Sequence, residues 1–381
     1  MLTNRLILSV LALFGALLFP SSIGAQSMTT DPVGFTSISL PANSDTLINP
    51  PFTRPVAYVG AITSAADSTI TVSGSPWSAN QFVYMQSVQR NHYYALIGPA
   101  STTNPKEGHI YAVVSNSTNS LTVDTSQDNL VGIPANAQLL VIPNWTPATI
   151  FPASDANISF TPTTSSASYK TQLLIPDYAA PGINQGYATT YFFSNNVDGT
   201  VNNVGWRVVS DNVTSHDDDP LLPDGYMAVR NQNGAPALSL TALGSVLTKK
   251  LAVALDTSAA SPSVLGQQQD NAVSMVRPID VTLNNTGLTP DDGSFVATRP
   301  STSNHLISGG DHLLVFSNSN VGFNKPPSAI YYYTTPGGWR STKDPLNDHG
   351  NDIIPAGSAL IVRKAPTTTG QSVYWTNSPT Y

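Results

Sequence analysis

Apolar and polar residues alternate along much of this chain, and the alternation predicts strands. The segment FTSISL (35–40) has the period-two pattern of a strand with one buried face. Farther on, AITSAADSTITVSG (61–74) and AVVSNSTNSLTVDT (112–125) each read as a strand, a polar turn and a second alternating strand, the signature of a hairpin. Ile70, Thr71 and Val72 of the first correspond to Leu121, Thr122 and Val123 of the second. NQFVYM and AQLLVIP follow the two hairpins, and a small barrel or paired sheet would bury these faces together. The predicted module covers residues 56–150, after a short leading segment at 26–55.

The later part of the chain, 151–381, repeats itself. QLLIPDYAAPGINQGYATTYFFSN (172–195) aligns with HLLVFSNSNVGFNKPPSAIYYYTT (312–335), with Leu173 and Leu313, Gly182 and Gly322, Asn184 and Asn324, and Tyr191 and Tyr331 each 140 residues apart. Gly-Trp-Arg (205–207) returns at 338–340, and the closing segments LLPDGYMAVRN and IIPAGSALIVRK share the turn-then-strand form of Pro-X-Gly before an apolar run. The copies span about 172–245 and 312–378. Four or five strands per copy cannot hide both faces of an isolated sheet, so the copies are expected to pair as facing sheets or adjoining barrels. The fold class expected is all-β: a small N-terminal barrel-like module followed by an internally duplicated sandwich or barrel region. The Ser/Thr/Pro-rich stretch TPATIFPASDANISFTPTTSSASYK (146–170) marks the boundary between them.

Composition supports this reading. The chain holds 30 Pro and 26 Gly, and all its acidic residues but Glu107 are Asp, which favours turns and caps where Glu favours helices. A formal net charge of −7 argues against nucleic acid as a partner, because phosphates demand a basic surface. Arg5, the apolar run Leu6 to Phe19 and the small residues ending at Ala25 form an expected secretory signal peptide (1–25), too short in its apolar part to span a bilayer. The mature chain is expected to start near Gln26, secreted or at the cell surface or periplasm, with no membrane span. No Cys is present, which excludes disulfide and thiolate chemistry and fits a bacterial exported protein.

Candidate chemistry is sparse. SHDDDP (215–220) and NDHGND (347–352) are equivalent acidic loops, and His216, Asp217, Asp218, Asp219, Asp348, His349 and Asp352 could ligate Ca²⁺, a cation that takes six to eight oxygen donors. The regular calcium-loop spacing is missing, so the plainer reading is a solvated turn in which Asp and Asn cap backbone groups. Tyr331, Tyr333, Trp339 and Trp206 are candidates for stacking on a sugar, although aromatic rings on strands more often fill a core. Hydroxyls are more numerous in the second copy, which makes it the better binding candidate. Arg207, Arg340, Arg230 and Arg363 are expected to pair with the loop carboxylates. Glu107 beside His109 reads as a turn pair. With one Glu, a pair of glutamates for glycoside hydrolysis is excluded, and no nucleophile elbow, zinc helix or phosphate loop is found.

TDPVGFTSISLPANSDT, TITVSGSPWSANQFVY, KEGHIYAVVSNSTNSLTV and the twin endings LLPDGYMAVR and IIPAGSALIVR resemble an uncharacterised family of exported, multi-copy, β-rich bacterial proteins. The resemblance spans nearly all of the mature chain and carries no activity or site residues with it. The acidic loops are longer here than that pattern implies. The expected function is that of an exported, non-enzymatic structural or surface/envelope protein with a glycan or envelope protein as partner and no cofactor. The alternatives are a carbohydrate-binding module, Ca²⁺-assisted, and an Asp-dependent hydrolase.

Overall fold

The computed structural model describes residues 32–152, 160–199, 204–259, 267–298 and 309–381. The leader expected at 1–25 and the start near Gln26 lie outside them. The fold is all-β. In chain order the strands are β1 (Val33–Leu40), β2 (Ser44–Ile48), β3 (Tyr58–Ala66), β4 (Thr69–Val72), β5 (Tyr93–Ile97), β6 (Ile110–Asn116), β7 (Ser120–Val123) and β8 (Gln138–Pro143). There follow β9 (Thr171–Pro176), β10 (Tyr187–Ser194), β11 (Gly205–Val208), β12 (Met227–Asn231), β13 (Leu238–Ser245), β14 (Leu251–Leu255) and β15 (Gln269–Ser274). The chain closes with β16 (Val281–Thr282), β17 (His312–Val315), β18 (Ala329–Thr334), β19 (Gly338–Ser341), β20 (Ile353–Ile354), β21 (Ala359–Lys364) and β22 (Val373–Asn377). Among the described residues no helix is long and apolar enough to cross a membrane.

Strands β3 to β8 close into a six-stranded barrel in the order β3-β4-β7-β6-β5-β8. The two predicted hairpins are β3–β4 and β6–β7. NQFVYM is not a strand. Asn80 sits in the left-handed region (φ 63°), and Phe82 turns into the barrel core with its N–H donating to Asn116 Oδ1 at 2.8 Å. The strand that follows is β5, with the sequence YYALI. Its alternate residues explain the continuous apolar run. Ala95 and Ile97 face the barrel interior with Leu139 and Val141 of β8, while Tyr94, Leu96, Leu140 and Ile142 pack outward against Leu251, Val253 and Val273.

Two five-stranded sheets follow one plan. The first has the order β11-β10-β9-β12-β2 and the second β19-β18-β17-β21-β15. Each is accompanied by a two-stranded ribbon, β1–β13 and β14–β22. The leading segment therefore belongs to the first sheet, and the barrel interrupts that sheet between β2 and β9. Between β15 and β17 the described residues carry only β16 and a 3₁₀ turn at Leu283–Asn285. A one-turn helix, Pro147–Ile150, leads out of the barrel; Thr146 and Thr149 cap each other's backbone, and proline opens the turn.

Period-two alternation divides each sheet between two cores. Leu173, Met227, Val229 and Ile48 face the core of their own ribbon with Trp206, Phe151 and Leu240. Their neighbours Leu174, Ala228 and Leu47 turn the other way, onto Ala272 and Ala359 of the second sheet and onto Tyr226. Small residues let the two sheets approach here. Asn49 Nδ2 donates to Ser274 Oγ at 2.6 Å, so equivalent ends of β2 and β15 meet at the centre of the contact.

The sheets also hold each other reciprocally. Asp45 on β2 accepts from Arg230 Nε (2.7 Å) and Nη2 (2.8 Å) of the neighbouring strand, and from the backbone N–H of Asn324 (2.7 Å) in the opposite copy. Asp270 on β15 accepts from Arg363 Nε (2.7 Å) and Nη2 (2.9 Å), and from the N–H of Asn184 (2.8 Å). Arg230 and Arg363 thus pair with strand aspartates rather than with the acidic loops expected from sequence. The Gly-Asn loops reach across because their backbones turn left-handed, with Gly182 at φ 91°, Asn184 at 56° and Asn324 at 49°, a conformation that Gly and Asn adopt most readily.

Candidate functional site

The acidic loops fold as locked turns. In the first, His216 N–H donates to the carbonyl of Trp206 (3.0 Å), its Nδ1 lies 2.8 Å from Asp219 Oδ2, and the Tyr191 hydroxyl donates to the same oxygen at 3.0 Å. In the second, His349 N–H donates to the Trp339 carbonyl (3.0 Å), Nδ1 lies 2.8 Å from Asp352 Oδ2, and Tyr331 donates to that oxygen at 2.9 Å. A second carboxylate stands beyond each ring, Asp211 at 3.8 Å and Asp344 at 3.6 Å from Nε2. The repeated loop is therefore a His-Asp-Tyr clasp tying the turn to the three-aromatic strand.

The other candidate ligands do not join one shell. Asp217 accepts from Trp206 N–H (2.7 Å) and the Ser215 hydroxyl (2.8 Å). Asp218 takes Arg90 Nε (2.6 Å) and the Tyr84 hydroxyl (3.3 Å), fastening the loop to the barrel. Asp348 meets Arg340 Nη1 (3.4 Å) and Gly350 N–H (3.2 Å). Among the described residues no three His, Asp or Glu side chains meet as a metal-ligating group.

The hydrogen bond from His349 Nδ1 to Asp352 raises the imidazole pKa against partial desolvation, and the charges of Asp352 and Asp344 add to the rise. A folded pKa above the unfolded value of about 6.5 gives stability that is full below pH ~6.5 and lost as pH rises through the folded pKa. An NMR titration of the His349 imidazole is expected to show a midpoint above 6.5, and a midpoint at or below it would remove the clasp as a source of pH dependence.

The aromatic candidates are a correction. Trp206 and Trp339 are each 1 % exposed, enclosed by Phe151, Phe160 and Phe193 in one core and by Phe295 and Tyr333 in the other. Tyr331 is buried with its hydroxyl on Asp352, and Tyr333 stands edge-on to Trp339 at 5.5 Å between centroids. Trp206, Trp339 and Tyr331 are buried and Tyr333 is half-buried against Trp339, so the four rings do not form an exposed stacking platform. Glu107 pairs with Lys250 at 3.0 Å rather than with His109.

What the sequence reading missed is a cleft of about 420 Å³ where the barrel meets both sheets. Tyr94, Ile110 and Tyr111 come from the barrel, Leu221, Leu222 and Asp224 from the closing turn of the first copy, Val253 and Asp256 from β14 and its end, and Asn271 from β15. At its rim Asp128 gathers Lys106, His109 Nδ1 (2.7 Å) and the Tyr111 hydroxyl (2.7 Å). Burial pushes the Asp128 carboxyl up, but these donors hold it below the usual carboxylate range, and burial pushes His109 down. Burial also pushes the Asp224 carboxyl up. A second cavity of about 320 Å³, lined by Ile175, Ala188 and Met227, shares Tyr178 and the 220–222 turn with it. One sequence signal pointed here: Pro-Asp-Gly (223–225) in the first copy stands where the second has Pro-Ala-Gly (355–357), so the turn itself does not require the carboxylate. No protein-family model, curated protein or solved structure matches the chain.

Proposed function

We propose that this chain is an exported, non-catalytic β protein with a structural role at the cell surface or envelope, built on an internal duplication. The observation that carries this reading is the use made of its polar side chains. The His, Asp, Arg and Tyr residues repeated in the two copies bond to one another, in matching positions, in the clasps at His216 and His349 and in the ties at Asp45 and Asp270. Groups so engaged hold turns and sheets in place rather than face a substrate. The signal-peptide pattern expected at residues 1–25 and the resemblance to exported, multi-copy β proteins support the address.

Cell fractionation with N-terminal sequencing tests it. The chain is expected outside the cytoplasm with Gln26 at its start; a cytoplasmic chain retaining residues 1–25 overturns the reading. Calcium titration by calorimetry is expected to give heat of dilution alone, because the seven loop residues already serve protein donors and cations. Saturable heat lost on Asp219→Asn or Asp352→Asn would restore the metal reading.

A further inference from the structure

The cleft between the barrel and the sheets is a large concavity whose lining joins apolar walls to a carboxylate, Asp224, that takes no hydrogen bond from another side chain among the described residues. Four aspartates line it, and no Lys, Arg or His does. Three of the four are engaged. Asp124 accepts from Ser126 N–H at 2.9 Å, Asp256 from the Ser372 hydroxyl at 2.6 Å, and Asp128 from Lys106, His109 and Tyr111. Asp224 is left. Gly225 beside it packs so closely on Tyr178 that a Cβ would lie 2.4 Å from the Tyr178 hydroxyl, which donates to the Tyr226 carbonyl at 2.8 Å. The carbonyl of Asp224 accepts Ser274 N–H at 2.9 Å. The turn is thereby fixed from both sides while its carboxylate faces the cavity.

We propose that this cleft binds a small aliphatic amine or diamine, its ammonium head on Asp224 and its methylene stem along Ile110, Leu221 and Val253. The chemistry follows from what the walls supply and lack. A half-buried carboxylate set among apolar walls favours a cation that brings its own N–H donors. A bare divalent ion needs six or more oxygen ligands, and one disengaged carboxylate does not furnish them. Apolar walls favour a ligand with a hydrocarbon body, and the volume falls within the range of small-molecule sites. The matching turn of the second copy has Ala356 and no carboxylate, so the site depends on the Asp224 turn of the first copy, with walls from the barrel and from β14 and β15. The structural role proposed above does not depend on it.

The test is an NMR titration of the mature chain with 1,5-diaminopentane and, separately, with the neutral isostere 1,5-pentanediol. The diamine is expected to bind saturably, with shifts at Ile110, Leu221 and Val253, and the diol about tenfold more weakly or worse. Asp224→Asn is expected to lose about tenfold or more of the diamine affinity while its thermal unfolding stays close to wild type. Asp177→Asn, in the lining of the neighbouring cavity, is expected to leave affinity unchanged. Absence of saturable binding, equal binding of diol and diamine, undiminished affinity in Asp224→Asn, or competitive displacement by Ca²⁺ would each overturn the proposal.

Discussion

Replacing Lys364 alone with methionine is expected to cost about 3–5 kcal/mol, while Lys364→Asn combined with Asp311→Thr costs less than the single change. The ammonium and carboxylate of this pair are 1 % and 0 % exposed. Asp311 also accepts the backbone N–H groups of Val296 and Ala365, each at 2.7 Å, and Lys364 Nζ donates to the Ser294 carbonyl at 2.7 Å. Removing the ammonium strands a carboxylate in a medium that cannot solvate it, and that desolvation sets the size of the loss. The first sheet solves the same position without charge. Thr171 stands where Asp311 does and Asn231 where Lys364 does, and the Thr171 hydroxyl donates to Asn231 Oδ1 at 2.9 Å. Transplanting that neutral pair removes both charges together. The remaining deficit, about 1–3 kcal/mol, is that of the backbone N–H groups Asp311 had served. Urea unfolding of the wild type, the single and the double variant decides the matter. A double variant less stable than Lys364→Met would show that the ion pair is not the second copy's substitute for the Thr-Asn pair.

How much of this was legible beforehand depended on whether a feature was local. The hairpins β3–β4 and β6–β7 were readable because alternation and a polar turn lie within one short window. The shared plan of the sheets was readable because the aromatic and Gly-Trp-Arg strands recur in order. The role of the leading segment was not, since β2 finds β12 across some 180 residues and its partner on the strand is disclosed only by the fold. The same distance hid Asp45 and Asp270. Arg230 and Arg363 were expected to pair with the acidic loops, whereas their partners lie on strands whose sequences, SDTLI and QDNAVS, share little beyond the aspartate. Trp206 and Trp339 were ambiguous for a different reason. A strand presents alternate residues to two sides, and the sequence does not say that both sides are covered. The cleft was the least legible feature, because its lining comes from stretches as far apart in sequence as Tyr94, Asp128, Asp224 and Asn271, which meet only in the fold.

Asp45→Ala and Asp270→Ala are each expected to lose about 2–3 kcal/mol, and the two losses should match. Each aspartate side chain is 2 % exposed, whereas its arginine is partly open to water at 20 % and 18 %. Loss of the carboxylate therefore leaves a cation able to find solvent, which keeps the cost below that of the enclosed Lys364–Asp311 pair. It also leaves the N–H of Asn324 or Asn184 without its acceptor, and that amide belongs to the opposite copy. The tie is then more than a cross-strand pair, since it closes one sheet onto the loop of the other around Leu47, Leu174 and Ala272. A double-mutant cycle separates the parts. Once Asp45 is Ala, Arg230→Ala should add little, because the guanidinium has no carboxylate left to hold. Losses of Asp45→Ala and Arg230→Ala that simply add would mean that the two do not act as one unit. Unequal losses at Asp45 and Asp270 would mean that the reciprocal geometry does not carry equal weight on its two sides.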